Sequence, residues 1–233
     1  MPILTPSEAE ATYNTFAPHY DQSCQYHLCD IKRFTEMANL KPGDNVLDLG
    51  CGTGWVAEAA KRAVGDGRVV GIDISARKLA HAGEYLNRSG LGGGQVELVR
   101  VISHLRPQQR HSLHLPTASR IKDSTRFWPC GSLVPSVLML IAQIQILSLW
   151  SQCLSPGGSI VIDRHHDKED TALFGVYQTS LNHVTLRQFW AADERSWIEC
   201  EVQFRQMVQA SGLVCQSVSP SPASTNQVTA LPT

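Results

Sequence analysis

Charge is scarce in this 233-residue chain: 20 Lys and Arg stand against 21 Asp and Glu, 18% of residues in all, for a formal net charge of -1. Soluble domains ordinarily carry about 25%. With no excess of either sign there is no field to draw in nucleic acid or an anionic membrane surface, so neither is expected as a partner. Paired cysteines are missing too. The seven Cys residues are odd in number and form no CxxC pair, which argues against a disulfide framework and a zinc ribbon; reduced thiols and no metal are expected. The longest apolar run, 133–150, is interrupted by Pro135, Gln143 and Gln145 and falls short of the roughly 20 residues a membrane span needs. The first residues, MPILTPSEAEATYN, hold no basic stretch followed by an apolar one, so no secretory leader is expected and the cytoplasm is the expected location.

What the chain does have is 42% hydrophobic residues, ample for one α/β domain. Residues 1–40 read as a helical cap: Ser7 can cap a helix bearing Ala9, Tyr13, Phe16 and Tyr20, and a second helical pattern runs through Ile31, Phe34, Met37 and Ala38. From Lys41 the period changes. Residues 46–49 form an apolar strand entering a glycine turn, and Trp55, Val56, Ala59, Ala60, Ala63 and Val64 then recur at helical spacing. A strand over 68–74 follows, a helix capped by Ser75, and a third strand over 96–101. Such alternation implies a parallel sheet with right-handed crossovers. Later, Ser155-Pro156-Gly157-Gly158 reads as a turn into a strand over 159–163, and a helix over 197–210 stops at Gly212 before a strand over 213–218. The α/β domain is thus expected over 41–218, with 219–233 a mobile tail rich in Pro, Ser and Thr.

The informative segment is Asp48-Leu49-Gly50-Cys51-Gly52-Thr53-Gly54. Alternate glycines remove the Cβ atoms that would keep a ligand off the backbone. A dinucleotide fingerprint, GxGxxG, fails here because Trp55 stands where the third glycine belongs. Asp48 points the same way: a carboxylate before the loop repels a pyrophosphate and suits a ligand carrying an ammonium group.

On these residues the sequence resembles the class I S-adenosylmethionine-dependent methyltransferases. Asp48, Gly50, Gly52 and Gly54 match that family's acidic-GxGxG motif, and Asp73, in Gly71-Ile72-Asp73-Ile74-Ser75, stands where it keeps an acidic residue ending the second strand. Phe16, Ala17, Tyr20 and Asp21 look like the cofactor-covering helix of a small-molecule branch similar to the ubiquinone/menaquinone-type methyltransferases. The resemblance implies a Rossmann-like fold, a mostly parallel sheet with helices on both faces. It implies S-adenosyl-L-methionine as cofactor, with Tyr20, Asp48, Gly50, Cys51, Gly52, Gly54, Asp73 and Ile74 binding it. Asp73 would receive the ribose hydroxyls.

Residues 102–149 break the resemblance. The family's acidic residue after the third strand and its fourth-strand Asp have no counterpart there. The segment's one acidic residue is Asp123, whereas the other 185 residues hold 20. It is therefore expected to be irregular and foreign to the fold, either translated in a wrong frame or a divergent insertion. A helix over about 136–154 fits better than a strand, which leaves a weak fourth strand somewhere before Gly131. After Val218 the one candidate for an antiparallel seventh strand is the poor match 226–231.

Methyl transfer from a sulfonium is an in-line displacement that needs positioning above all, with a base only when the acceptor must lose a proton. No catalytic residue is assigned. His27 and the run His165-His166-Asp167 are the candidate bases, and Phe174, Tyr177, Phe189, Trp190 and Trp197 could line an acceptor pocket. Cys51 reads as a small packing residue. The expected activity is methyl transfer to oxygen or nitrogen of a small organic metabolite, in specialised metabolism; a quinone-ring C-methyltransferase and a non-catalytic relative are the alternatives.

Overall fold

The computed structural model describes residues 10–11, 13–15, 17–23, 31–32, 35–100, 124–128, 144, 147–148, 150–152, 154–162, 201–220 and 226–232. Seven strands form one sheet: β1 (Val46–Leu49), β2 (Val69–Asp73), β3 (Val96–Arg100), β4 (Ser124–Trp128), β5 (Leu154–Ile162), β6 (Leu213–Pro220) and β7 (Asn226–Pro232), in the order β3-β2-β1-β4-β5-β7-β6. The first five pair in parallel, and β7 runs antiparallel to both β5 and β6. The helices are α1 (Tyr20–Ser23), entered through a 3-10 turn at Ala17–His19, α2 (Trp55–Val64), α3 (Ala76–Arg88) and α4 (Glu201–Ala210).

β2 is buried along its whole length and β1 nearly so, as strands covered on both faces must be. Alternation along the strands deals their side chains to two cores. Val46, Val69 and Val96 pack with Ala57, Ala60 and Val64 of α2 and Leu86 of α3. Leu47, Val70 and Ile72 turn to the other face and pack with Ile160 and with Phe204, Met207 and Val208 of α4. Helices thus cover both faces, as the resemblance implied. Each large apolar side chain buried this way contributes about 1.5–3 kcal/mol relative to exposure.

The chain steps outward from β1 through β2 to β3, then returns to lay β4 on the other side of β1. The connection reverses between β1 and β4, and the crevice beyond the carboxyl ends of such strands is where open α/β sheets bind ligands. Ser75 caps α3 as expected, its Oγ accepting the Lys78 N–H at 3.0 Å. β4 falls before Gly131 in the carboxylate-poor segment, and by pairing with both β1 and β5 its five residues take a full place in the sheet.

Three expectations change. The turn Ser155–Gly158 lies inside β5: between Ser124↔Leu154 and Arg126↔Ser159 one strand advances by two residues and the other by five, so the Pro-Gly-Gly stretch is a bulge in a strand that begins early. The helical residues 144, 147–148 and 150–151 accordingly end before Leu154. The described part of 219–233 is not a loose tail, because Asn226–Pro232 pairs antiparallel with β5 on one side and with β6, through one register shift, on the other. Its Thr and Pro content hid a strand whose order comes from partners on both sides. Among the described residues, no helix is long and apolar enough to cross a membrane.

Candidate cofactor site

β1 ends at Leu49, and the chain turns at once through glycines into α2. The Gly50 and Cys51 N–H groups both donate to the Ile72 carbonyl, at 2.7 and 2.9 Å, and the Gly54 N–H closes the turn on the Cys51 carbonyl at 2.9 Å. The glycines do different work. Gly54 has φ of 90° and a Cβ there would lie 3.1 Å from Ala82 Cβ, so its bareness lets α2 and α3 approach. Gly52, at φ of 54°, meets nothing closer than 3.9 Å: the Gly50 carbonyl oxygen and Tyr20 Cε1. Gly52 is the position whose missing side chain leaves open backbone.

Asp73, at the end of β2, is buried. Its Oδ2 accepts the Gly52 N–H at 2.9 Å and its Oδ1 accepts the Ser75 N–H at 2.7 Å. A carboxylate has about four acceptor sites, so two remain for further donors such as a pair of hydroxyls. Asp48 is fully buried in β1. The Cys51 thiol sits between these acids, and burial, then Asp48, then Asp73 push its pKa well above the ordinary value. It is a neutral packing group: its Sγ lies 3.0 Å from where a Cβ on Gly71 would stand, filling the space that glycine leaves. Ile74, half-buried, follows Asp73 at the rim.

The N-terminal segment lies over this loop. Thr53 Oγ1 donates to Asp21 Oδ1 at 2.6 Å, Ser75 Oγ donates to Asn14 Oδ1 at 2.7 Å, and Arg100 pairs with Glu10. Lys78 reaches the same segment, its ammonium 3.6 Å from the centroid of the Tyr20 ring and 4.7 Å from that of Tyr13. Lys78 is 4% exposed. Tyr13 has its own hydroxyl pushed up to about 12 by burial and by the Asp73 carboxylate.

The residues named from the sequence, Tyr20, Asp48, Gly50, Cys51, Gly52, Gly54, Asp73 and Ile74, are thus gathered around the carboxyl ends of β1 and β2. Sequence reasoning passed over Asn14, Thr53 and Lys78. The signal for Lys78 was present: the first turn of α3 carries Arg77 and Lys78 with no acidic residue, the wrong sign for a helix N-terminus by about 0.3–1 kcal/mol per charge. Phe16, His27, His165, His166, Asp167, Phe174, Tyr177, Phe189, Trp190 and Trp197 lie outside the described residues.

The donor set fits S-adenosylmethionine, with acceptors for a ribose, open glycine backbone for a close-lying ligand, and two buried carboxylates that suit a cationic molecule and oppose a phosphate. Comparison with known proteins agrees. A family model described as a methyltransferase domain matches residues 46–118. The 2-phytyl-1,4-naphtoquinone methyltransferase of Synechococcus elongatus is 36% identical over 172 residues, 71% of this chain and 67% of that protein. The ubiquinone/menaquinone biosynthesis C-methyltransferase of Xanthomonas oryzae pv. oryzae is 38% identical over 88 residues, 35% of each chain. Among solved structures, a SAM-dependent methyltransferase from Aquifex aeolicus superposes with a TM-score of 0.57 at 17% identity, covering 86% of this chain and 88% of that one. With its motif folded into a cradle at the sheet's switch point and its identity to a methyltransferase extending over two thirds of that protein, the chain belongs to the class I S-adenosylmethionine-dependent methyltransferases.

Proposed function

We propose that the protein methylates a small, ring-bearing acceptor of the quinol type at a ring carbon, acting in the cytoplasm. The observation that carries this reading is the 36% identity to a naphthoquinone methyltransferase over 172 residues. Together with the C-methyltransferase relative it supports carbon, in place of the oxygen or nitrogen expected from sequence, as the acceptor atom. When bound, the cofactor supplies an electrophilic methyl group on a cationic sulfur.

The chain's own residues supply the setting. Asp73 would accept the ribose hydroxyls while still holding the Gly52 and Ser75 N–H groups. Asp48 would favour the cationic amino-acid end, with the 50–54 backbone, Cys51 and Ile74 forming the wall and Tyr20 the cover. A ring carbon becomes nucleophilic when the neighbouring hydroxyl ionises, the task of a base beyond the strand ends. His165, His166 and Asp167 follow β5, and with His27 they are the candidates for it.

Transfer to oxygen or nitrogen of a small metabolite, the activity expected from the sequence, is the second reading. The carboxylate-poor stretch 102–149 favours a third, a relative that binds cofactor without turning over.

Calorimetric titration with S-adenosylmethionine, followed by incubation with a demethylnaphthoquinol and NMR of the product, separates them. Binding that is lost in Asp48→Ala and Asp73→Ala, with the new methyl on a ring carbon, supports the proposal. A methyl ether product supports the second reading, and binding without transfer to quinol, phenol or amine acceptors supports the third. No binding by the wild-type chain overturns the assignment of the pocket.

A further inference from the structure

We propose that Lys78 is a positioning residue: its ammonium clasps the N-terminal segment over the glycine loop through the rings of Tyr13 and Tyr20, and this clasp sets how fast the cofactor enters and leaves. The inference rests on the reading of the pocket as the cofactor's. It begins from an inconsistency. Helices favour acidic residues in their first turn, yet α3 opens with Arg77 and Lys78 and no acid. Where a local rule is broken without evident gain in the element itself, the gain is to be sought in function.

Arg77 stays at the surface, its backbone N–H and guanidinium both turned to Asn14. Lys78 goes inward. A lysine ordinarily keeps its head in water. Here the residue is 4% exposed, and its ammonium lies 3.6 and 4.7 Å from the centroids of two aromatic rings. A cation over a ring face gains most when both are withdrawn from solvent. Both rings belong to the covering segment, and both reach the same cation.

The other ties of that segment differ in kind. Arg100 and Glu10 meet at the surface, where salt screens them. Asn14 and Asp21 accept from the Ser75 and Thr53 hydroxyls, and the Arg77 guanidinium reaches the Asn14 carbonyl only at 3.4 Å on the exposed side. Lys78 alone among them sets a buried cation against two rings of the segment. Tyr20 Cε1 lies 3.9 Å from where a Gly52 side chain would begin, so the ring clasped by Lys78 rests on the open position of the loop. A ligand reaching Gly52 must first move that ring, and the ring moves when it parts from the ammonium.

Hydrogen exchange of the ligand-free protein, paired with stopped-flow release of S-adenosylhomocysteine, tests this in Lys78→Gln, Lys78→Arg and Tyr20→Leu. In Lys78→Gln, amides of residues 10–23 should exchange at least about fivefold faster while those of β1 to β3 are unchanged. Release should quicken by about tenfold. Lys78→Arg keeps a cation able to lie on both rings and should stay within about twofold of wild type in both readouts. Adding Tyr20→Leu to Lys78→Gln should bring little further change, because the two act through one contact. Unchanged exchange in Lys78→Gln, or equal loosening in Lys78→Arg, overturns the clasp. If Lys78→Gln does not fold, loosening in Tyr20→Leu with none in Lys78→Arg supports it, and the reverse overturns it. Failure of the wild-type chain to bind S-adenosylhomocysteine overturns the cofactor reading and the gating with it, while exchange still decides the clasp.

Discussion

Asp73 holds the backbone of a residue 21 positions before it, its Oδ2 accepting the Gly52 N–H at 2.9 Å. Its other oxygen takes the Ser75 N–H, so one buried carboxylate ties the end of β2 to the loop after β1 and to the start of α3. An amide in its place has an oxygen for one of these donors and sets an NH2 against the other. Asp73→Asn should therefore lose about 1–3 kcal/mol of stability in urea titrations, the cost of a buried donor left unmatched. Asp73→Ala should lose at least as much, together with cofactor binding in calorimetry; an Ala variant as stable as wild type would sink this account of the loop.

Gly52→Ala and Gly54→Ala should separate binding from folding. At Gly54 the added methyl meets Ala82 at 3.1 Å in a backbone at φ of 90°, so Tm should fall, with a loss of about 2 kcal/mol or more. At Gly52 the methyl finds room, and the left-handed backbone alone costs about 1–2 kcal/mol. The Gly52 variant should instead lose affinity for S-adenosylmethionine out of proportion to its stability, as paired calorimetry and thermal unfolding can read.

Cys51 should resist alkylation by iodoacetamide at pH 8 in the folded protein and react freely in urea. Burial and the two neighbouring carboxylates hold the thiol neutral well above the ordinary 9.0. The unfolded chain therefore gives up this proton first, so stability is fully present below pH 9.0 and falls as pH rises from there. Tyr13 and Tyr85, both pushed up to about 12, add a second fall between 10.0 and about 12. In a stability profile measured against pH, Cys51→Ala should make the decline that begins at pH 9.0 shallower, by up to about 1.4 kcal/mol per pH unit, without abolishing it, because the Cys215 thiol is also pushed up by burial.

S-adenosylmethionine at a hundred times its Kd should raise stability by about 2.7 kcal/mol, seen as an upward shift in Tm. Adenosine triphosphate at the same concentration should leave Tm unchanged, because Asp48 and Asp73 oppose its phosphates.

The first half of the sheet was legible in the chain because its signals are local. Val46–Leu49, the glycines and the Ala-spaced α2 each announce themselves within ten residues, and Ser75 marks the start of α3 by a hydrogen bond three residues long. β4 and β7 were hard to see for the opposite reason. Ser124–Trp128 holds Ser, Thr and Arg, and Asn226–Pro232 holds Thr and Pro, so neither has the apolar run of a central strand; each is ordered by neighbours far away in sequence. Motif reasoning found the acids and glycines of the site. It passed over Lys78, since a lysine on an amphipathic helix ordinarily belongs to the wet face, and only the position of two tyrosines some sixty residues earlier draws it inward.

The place of β7 has a consequence for the order of assembly during synthesis. Everything from β1 to β3, with the glycine loop and Asp73, is complete by residue 100, so the cradle can form while the rest of the chain is still being made. β6 emerges much later and finds its sheet partner only in β7, which follows it and must slide between β6 and an already docked β5. Until that insertion, β5 presents an open edge and β6 a lone ribbon. The interval from the completion of β6 until β7 has been made and inserted is thus when this protein most exposes itself to pairing with the wrong neighbour.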